Sequence, residues 1–293
     1  MMKTMFKAVI TLTSLMFISP GHADTENFKQ LWQTEGFKNP ESAIYDEKNN
    51  VIYVSNVNGP PAEKDGNGFI SKVSMDGNII ALEWVAAGLN APKGLAITGD
   101  HLYVADIDTL VEIDIARGKI SHRYTIEGAK FLNDTVAAAD GTVYVSDTAG
   151  NTIYSLKNGR IAPWLSSTEL ISPNGLCLEK GRMLVGSAGI FGEKPVPGEF
   201  LAVSLADKTI SSASGGKLIG ALDGVEAARD GGYYVTDWAG GKIYRIGRNG
   251  DFKVLMTLEQ GTADIDYIQS KDILLVPLMM SGKLAAYKAH DHD

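Results

Sequence analysis

A single cysteine, Cys177, stands in the 293 residues, so no intramolecular disulfide can staple the fold and its hydrophobic core must hold it. Cys177 lies in the apolar run Leu176-Cys177-Leu178, the setting of a small buried hydrophobe. Histidine is almost as scarce, with 5 in the chain. His22 falls in a leader described below, His101 and His122 in segments expected at the outside of the fold, and His290 and His292 in the tail, which leaves little for a zinc site. No long amphipathic helical pattern occurs. No apolar run reaches the roughly 20 residues of a bilayer-spanning helix. A Gly-x-Ser-x-Gly elbow, a phosphate loop and paired-cysteine motifs are all missing, which removes the commonest serine-hydrolase, nucleotide and redox readings. Met279-Met280 reads as packing or loop.

What is present begins with a leader. Lys3 and Lys7 give a basic start, Ala8 to Ile18 is apolar, and Pro20-Gly21-His22-Ala23 supplies small residues for a cut. This is the layout of a secretory signal peptide, with a mature chain expected to begin at Asp24 and to be exported, periplasmic or secreted, as one domain over residues 24–293. Removing the two lysines leaves 25 basic residues against 35 acidic ones, a net charge of −10. A chain so acidic repels phosphate backbones, so nucleic acid is not an expected partner, and no membrane span is expected.

Thirty-two glycines and many Val, Ile and Tyr in short runs point to strands joined by tight turns. One apolar strand ending in Val recurs six times: Ile52-Tyr53-Val54, Leu102-Tyr103-Val104, Val143-Tyr144-Val145, Met183-Leu184-Val185, Tyr233-Tyr234-Val235 and Leu274-Leu275-Val276. The valines are 50, 41, 40, 50 and 41 residues apart, and a further strand follows each. A period near 40–50 with several short strands per unit predicts an all-β, six-bladed propeller with four strands per blade. Residues 58–67 and 189–198, rich in Gly and Pro, account for the two long intervals as loops between second and third strands. Such insertions often gather on one, binding, face of a repeat protein. Phe28 to Thr34 has no inner strand of its own and is expected to close the ring as the outer strand of the last blade, sparing two free sheet edges.

One polar residue opens the strand before each repeat valine. These are Glu41, Lys93, Asn133, Asn174, Asp223 and Asp264. The innermost strand of each blade lines the central axis, so the six are expected to converge at one channel mouth. Three carboxylates, two carboxamides and a lysine are more than a wet channel requires. Their oxygens suit Ca²⁺ first, with Mg²⁺, Mn²⁺ and Zn²⁺ as alternatives.

With these motifs in place the chain resembles the gluconolactonase and regucalcin family of calcium-dependent lactonases, over about residues 36–288. The resemblance implies that Glu41, Asn174 in Pro173-Asn174-Gly175 and Asp223 in Asp223-Gly224 hold a divalent metal, and that Asp223 also manages the proton as the catalytic residue. It implies that Asn133, in Asn133-Asp134, touches substrate beside the metal; in a hydrolase built on this ring, Lys93 and Asp264 are expected to border the substrate as well. The pattern departs at Phe131, where sugar-lactone members carry Arg, at Thr135, where the family has Gly, and at Ala43-Ile44-Tyr45, which lacks the usual Trp. The expected activity is hydrolysis of a small-molecule lactone or related ester. The alternative is a non-catalytic binding propeller that keeps a residual metal site.

Overall fold

The computed structural model describes residues 28–289. The expected leader, residues 1–23, and its cut after Ala23 lie outside the described residues, as do His290 and His292. Six antiparallel sheets make up the described residues. Strand β1 (Phe28–Glu35) comes first. Blade one is β2 (Pro40–Asp46), β3 (Val51–Asn56), β4 (Gly68–Ser74) and β5 (Ile79–Leu89). Blade two is β6 (Pro92–Thr98), β7 (His101–Asp106), β8 (Thr109–Asp114) and β9 (Lys119–Thr125). Blade three is β10 (Leu132–Ala137), β11 (Val143–Asp147), β12 (Thr152–Lys157) and β13 (Arg160–Ser166). Blade four is β14 (Pro173–Glu179), β15 (Arg182–Ser187), β16 (Gly198–Ser204) and β17 (Ile210–Ser212), with the short β18 (Leu218–Gly220) also on β16. Blade five is β19 (Leu222–Ala227), β20 (Tyr233–Asp237), β21 (Lys242–Ile246) and β22 (Phe252–Thr257). Blade six is β23 (Asp266–Ile268), β24 (Ile273–Leu278) and β25 (Lys283–Ala289), completed by β1. No helix occurs among the described residues, and none is therefore long and apolar enough to cross a membrane.

The alternation of side chains along each second strand explains its apolar run. In β3, Val51 and Tyr53 enter the cluster shared with blade two, while Ile52 and Val54 enter the cluster shared with blade six. A strand buried on both faces has no polar face to show. Six such clusters occur, one at each blade-to-blade contact, so the core is a ring of interfaces rather than a single centre. Cys177 lies in the cluster between blades four and five, 8% exposed, as its apolar neighbours imply.

The ring closes as expected. Strand β1 runs antiparallel to β25, from Phe28 opposite Ala289 to Glu35 opposite Lys283. Trp32 packs against the blade one–blade six cluster and its indole N–H donates to the Met75 carbonyl at 3.0 Å, which ties the first strand to blade one as well.

Deleting residues 24–35 uncovers the edge of β25 and the cluster beneath it, and should give a protein that melts lower and aggregates with rising concentration. Trp32→Ala should cost roughly 2 kcal/mol, less than a fully buried ring because Trp32 is half-buried. Chemical denaturation with an unchanged midpoint for both variants would contradict the closure.

Candidate functional site

The first strands of all six blades share one irregularity. Pro40 pairs with Asn56, yet Ala43 pairs with Val54, so Glu41 and Ser42 form a bulge. The same one-residue shift occurs after Pro92, Leu132, Pro173 and Leu222. In blades one to five the first bulged residue turns toward the channel mouth, as bulges do when they re-aim a side chain. The freed N–H of the second is taken by a hydroxyl on the neighbouring strand in three blades: Ser55 accepts from Ser42, Ser146 from Asp134 and Thr236 from Gly224. A carboxylate two residues after the repeat valine fixes the approach to the bulge. Asp106 accepts from Ala91 N–H, Asp147 from Phe131 N–H and Asp237 from Ala221 N–H. Sequence reasoning missed these anchors, although Val-x-Asp is legible in Val104-Ala105-Asp106, Val145-Ser146-Asp147 and Val235-Thr236-Asp237.

Blade six obeys the same rule one residue earlier than expected. Thr262 bridges Leu278 and Asp266 pairs with Leu275, so Ala263 takes the place of Glu41 and Asp264 that of Ser42. Asp264 indeed bridges Ser42 in parallel and accepts from its hydroxyl at 2.6 Å. Small residues recur at this second position because adjacent inner strands touch there. A Cβ at Gly175 would collide with the Asp223 carbonyl, and one at Gly224 with the Ile265 amide. Glycine is the side chain that such an approach permits.

A cavity of about 400 Å³ opens at the channel mouth, and Glu41, Lys93, Asn133, Asn174 and Asp223 all line it. Five of the six residues singled out in the sequence therefore meet. Asp264 does not line it; it lies one layer down, in a smaller cavity of about 200 Å³ with Asp134, Glu226 and Asp266. The mouth is completed by Pro61 and Phe191, one from each insertion, and by Phe131, Thr148, Ala188, Ala221, Trp238 and Met279. Both insertions thus reach the cavity, and Met279, read in the sequence as packing or loop, borders it.

The mouth residues are held firmly. Asn174 donates its amide to Asp223 Oδ1 at 2.9 Å. Asn133 donates to Thr148 Oγ1 at 3.2 Å, and that hydroxyl donates to the Pro173 carbonyl at 2.8 Å. Lys93, 2% exposed, donates to the carbonyls of Pro61 and Ala91, each at 2.9 Å, with its ammonium 4.4 Å from the Phe131 ring centroid. Burial pushes the Lys93 ammonium down to about 8 despite the opposing pull of Glu41.

Charge is the unusual feature. Burial holds Glu41 and Asp223 well above the usual carboxylate range, and neighbouring carboxylates add to it: Asp223 and Asp264 act on Glu41, and Asp264 acts on Asp223. Asp134 and Glu226 are raised in the same way, Asp264 is pushed up to about 7 and Asp266 to about 6, burial leading in each case. Three buried side-chain oxygens at the mouth accept no hydrogen bond, namely Glu41 Oε2, Asn133 Oδ1 and Asn174 Oδ1. Each belongs to a residue marked out in the sequence. All are acceptors, and unmatched acceptors beside raised carboxyls fit a hard cation. Among the described residues no three His, Cys, Asp or Glu side chains converge on a metal position; the mouth oxygens that could serve a cation are those of the two carboxylates, Glu41 and Asp223, with the Asn174 carboxamide.

Comparison with known proteins extends the fold. No protein-family model matches the chain, and no curated protein matches it. Among solved structures, a gluconolactonase from Xanthomonas campestris superposes with a TM-score of 0.69 at 16% identity, covering 92% of this chain and 93% of that one. A structural-genomics protein provisionally classed as a gluconolactonase gives 0.65 at 17% identity, covering 91% and 94%. A catalytically inactive histidine-to-alanine variant of virginiamycin B lyase from Staphylococcus aureus, solved with quinupristin, gives 0.60 at 13% identity, covering 89% and 99%. The six-bladed propeller seen in the sheets of this chain is the fold it shares with the two gluconolactonase-type structures.

The raised carboxyls set the pH dependence of the metal-free protein. A carboxyl whose folded value exceeds its unfolded value near 4 contributes stability that is full below 4 and lost as pH rises through the folded value. For Asp266 and Asp264 that loss runs from about pH 4 to about 6 and 7. Chelator-treated protein should therefore melt several degrees lower at pH 8 than at pH 5.5, and Asp264→Asn should flatten the slope. A melting temperature that climbs over this interval would contradict the buried-carboxyl account.

Proposed function

We propose that this chain is a divalent-metal-dependent hydrolase of a lactone or related ester, akin to the gluconolactonases among its structural neighbours. The observation that carries this reading is the set of unmatched oxygens on Glu41, Asn133 and Asn174 at the floor of an open cavity. Glu41, Asn174 and Asp223 would hold the cation, Ca²⁺ first. When bound, such a cation polarises a carbonyl and offsets the charge of the two carboxylates. Asp223 takes the proton of the attacking water. It has one oxygen engaged by the Asn174 amide, which orients the carboxyl without consuming it. Asn133 steadies the substrate beside the metal, braced by Thr148. Lys93, fixed on two carbonyls, offers positive charge near the oxygen that becomes negative as water adds. The ester bond breaks to an acid and an alcohol, which remain one molecule when the substrate is a lactone.

Two observations weigh against a lyase like the one among the neighbours. That protein's inactive form differs by one histidine, and among the described residues no histidine lines this cavity. A binding propeller is the second reading, favoured by the exposed rim of Ile190, Phe191 and Met280, which are 52%, 59% and 60% exposed. A cavity of about 400 Å³ is room for a small molecule and favours catalysis.

Asp223→Ala should lose metal affinity and lower kcat/KM by about 10³-fold or more, since one residue serves as ligand and base. Asn133→Ala should leave metal affinity within about twofold while lowering kcat/KM by roughly 10²-fold or less, as expected of a positioning contact. Steady-state kinetics on esters and lactones, with metal content measured on the same samples, makes the comparison. Undiminished hydrolysis by Asp223→Ala would refute the assignment.

A further inference from the structure

The floor and the walls of the mouth cavity differ in chemistry. The polar groups sit at the floor, where each is already engaged as a donor: Lys93 to two carbonyls, Asn174 to Asp223, Asn133 to Thr148, and Thr148 to Pro173. The walls are Phe131, Trp238, Met279, Pro61 and Phe191. No arginine lines the cavity, and at 131, where a cation could face a polyol, a phenyl ring packs under the Lys93 ammonium. Phe191 is 59% exposed at the rim, on a loop that serves no blade.

Resting on the hydrolase reading above, we propose that the substrate is an ester or lactone bearing an apolar chain or ring, with its reacting carbonyl at the Glu41–Asn174–Asp223 floor and its hydrocarbon part against Phe131, Phe191, Trp238 and Met279. A polyhydroxylated lactone would bring several hydroxyls against these walls and find no partners, and unmatched buried hydroxyls are strongly rejected. A hydrocarbon chain loses water on both sides of the contact, at about a fourfold gain in binding for each methylene fully buried. Phe131 and Phe191 are the specificity residues: the first excludes a polyol-binding cation from the wall, and the second is the apolar surface that the bound chain covers.

Binding and turnover separate this inference from the reading on which it rests. Acetamide, hexanamide and gluconamide, neutral and without an ester bond, are titrated into Ca²⁺-loaded full-length protein with tryptophan fluorescence as readout. Hexanamide should bind at least tenfold more tightly than either of the others. Phe131→Arg and Phe191→Ser should shrink that preference to about threefold or less, while circular dichroism and melting stay near wild type. Gluconamide binding as tightly as hexanamide would overturn the inference, as would a preference untouched in both variants. In parallel, 4-nitrophenyl acetate, 4-nitrophenyl hexanoate and glucono-δ-lactone are tested for hydrolysis. Faster hydrolysis of the hexanoate supports both proposals. A hexanamide preference without hydrolysis of any ester or lactone under any of the four metals refutes the hydrolase and leaves the apolar pocket standing. Efficient hydrolysis that favours glucono-δ-lactone does the reverse.

Discussion

Several carboxyl groups are buried around one axis with a single lysine among them. Propeller geometry brings this about: inner strands of successive blades lie side by side, so residues about 40 to 50 positions apart become neighbours across the channel. Charged carboxylates in such a place repel one another and lack water, and they must take up protons, turn away or share a cation. The raised values of Glu41 and Asp223 and the unmatched oxygens at the mouth are two expressions of that strain. The rest of the site follows from holding these groups still. The bulges aim them, the hydroxyls of Ser55, Ser146 and Thr236 satisfy the backbone that the bulges free, and Gly175 and Gly224 let the strands approach.

The channel divides into two layers with different prospects. The mouth mixes carboxylates with carboxamides and opens into a cavity with apolar walls. The layer below holds Asp134, Glu226, Asp264 and Asp266, whose charge is relieved in part by backbone donors: Leu176 N–H to Asp134 at 2.6 Å and Tyr45 N–H to Asp266 at 2.7 Å. Burial raises all four, Asp264 to about 7 and Asp266 to about 6. They also act on the mouth from below, since Asp264 raises both Glu41 and Asp223. A cation at the mouth would therefore relieve repulsion that reaches through both layers.

The blades were legible because burial on both faces writes a repeating apolar signature, Ile52-Tyr53-Val54 and its five counterparts. Five of six mouth residues were legible because each sits 11 to 13 residues before the valine of that signature. The sixth was displaced by one residue, because Asp264 stands next to the true position, Ala263, and in a bulged strand one step moves a side chain to another layer. The second acidic layer was hidden for the same reason: Asp134, Glu226 and Asp266 carry no repeat of their own, and only the register brings them together. The walls were the least legible. Pro61 and Phe191 lie in insertions, where no offset from the repeat assigns a direction, and Trp238 and Met279 follow strand ends whose turns aim them inward. Phe131 was visible as a departure from a family pattern, and the structure adds its partner, Lys93.

The central claim is that a divalent cation resolves the charge at the mouth, and calorimetric titration of chelator-treated protein with Ca²⁺ at pH 6 tests it most directly. The account predicts one site per chain, abolished by Asp223→Ala and weakened by Glu41→Gln. It also predicts net proton release in buffers of different ionisation enthalpy, because burial and neighbouring carboxyls raise Glu41 and Asp223, which must be ionised to bind the ion. Absence of binding by Ca²⁺, Mg²⁺, Mn²⁺ and Zn²⁺ alike, or binding that persists unchanged in Asp223→Ala, would contradict it.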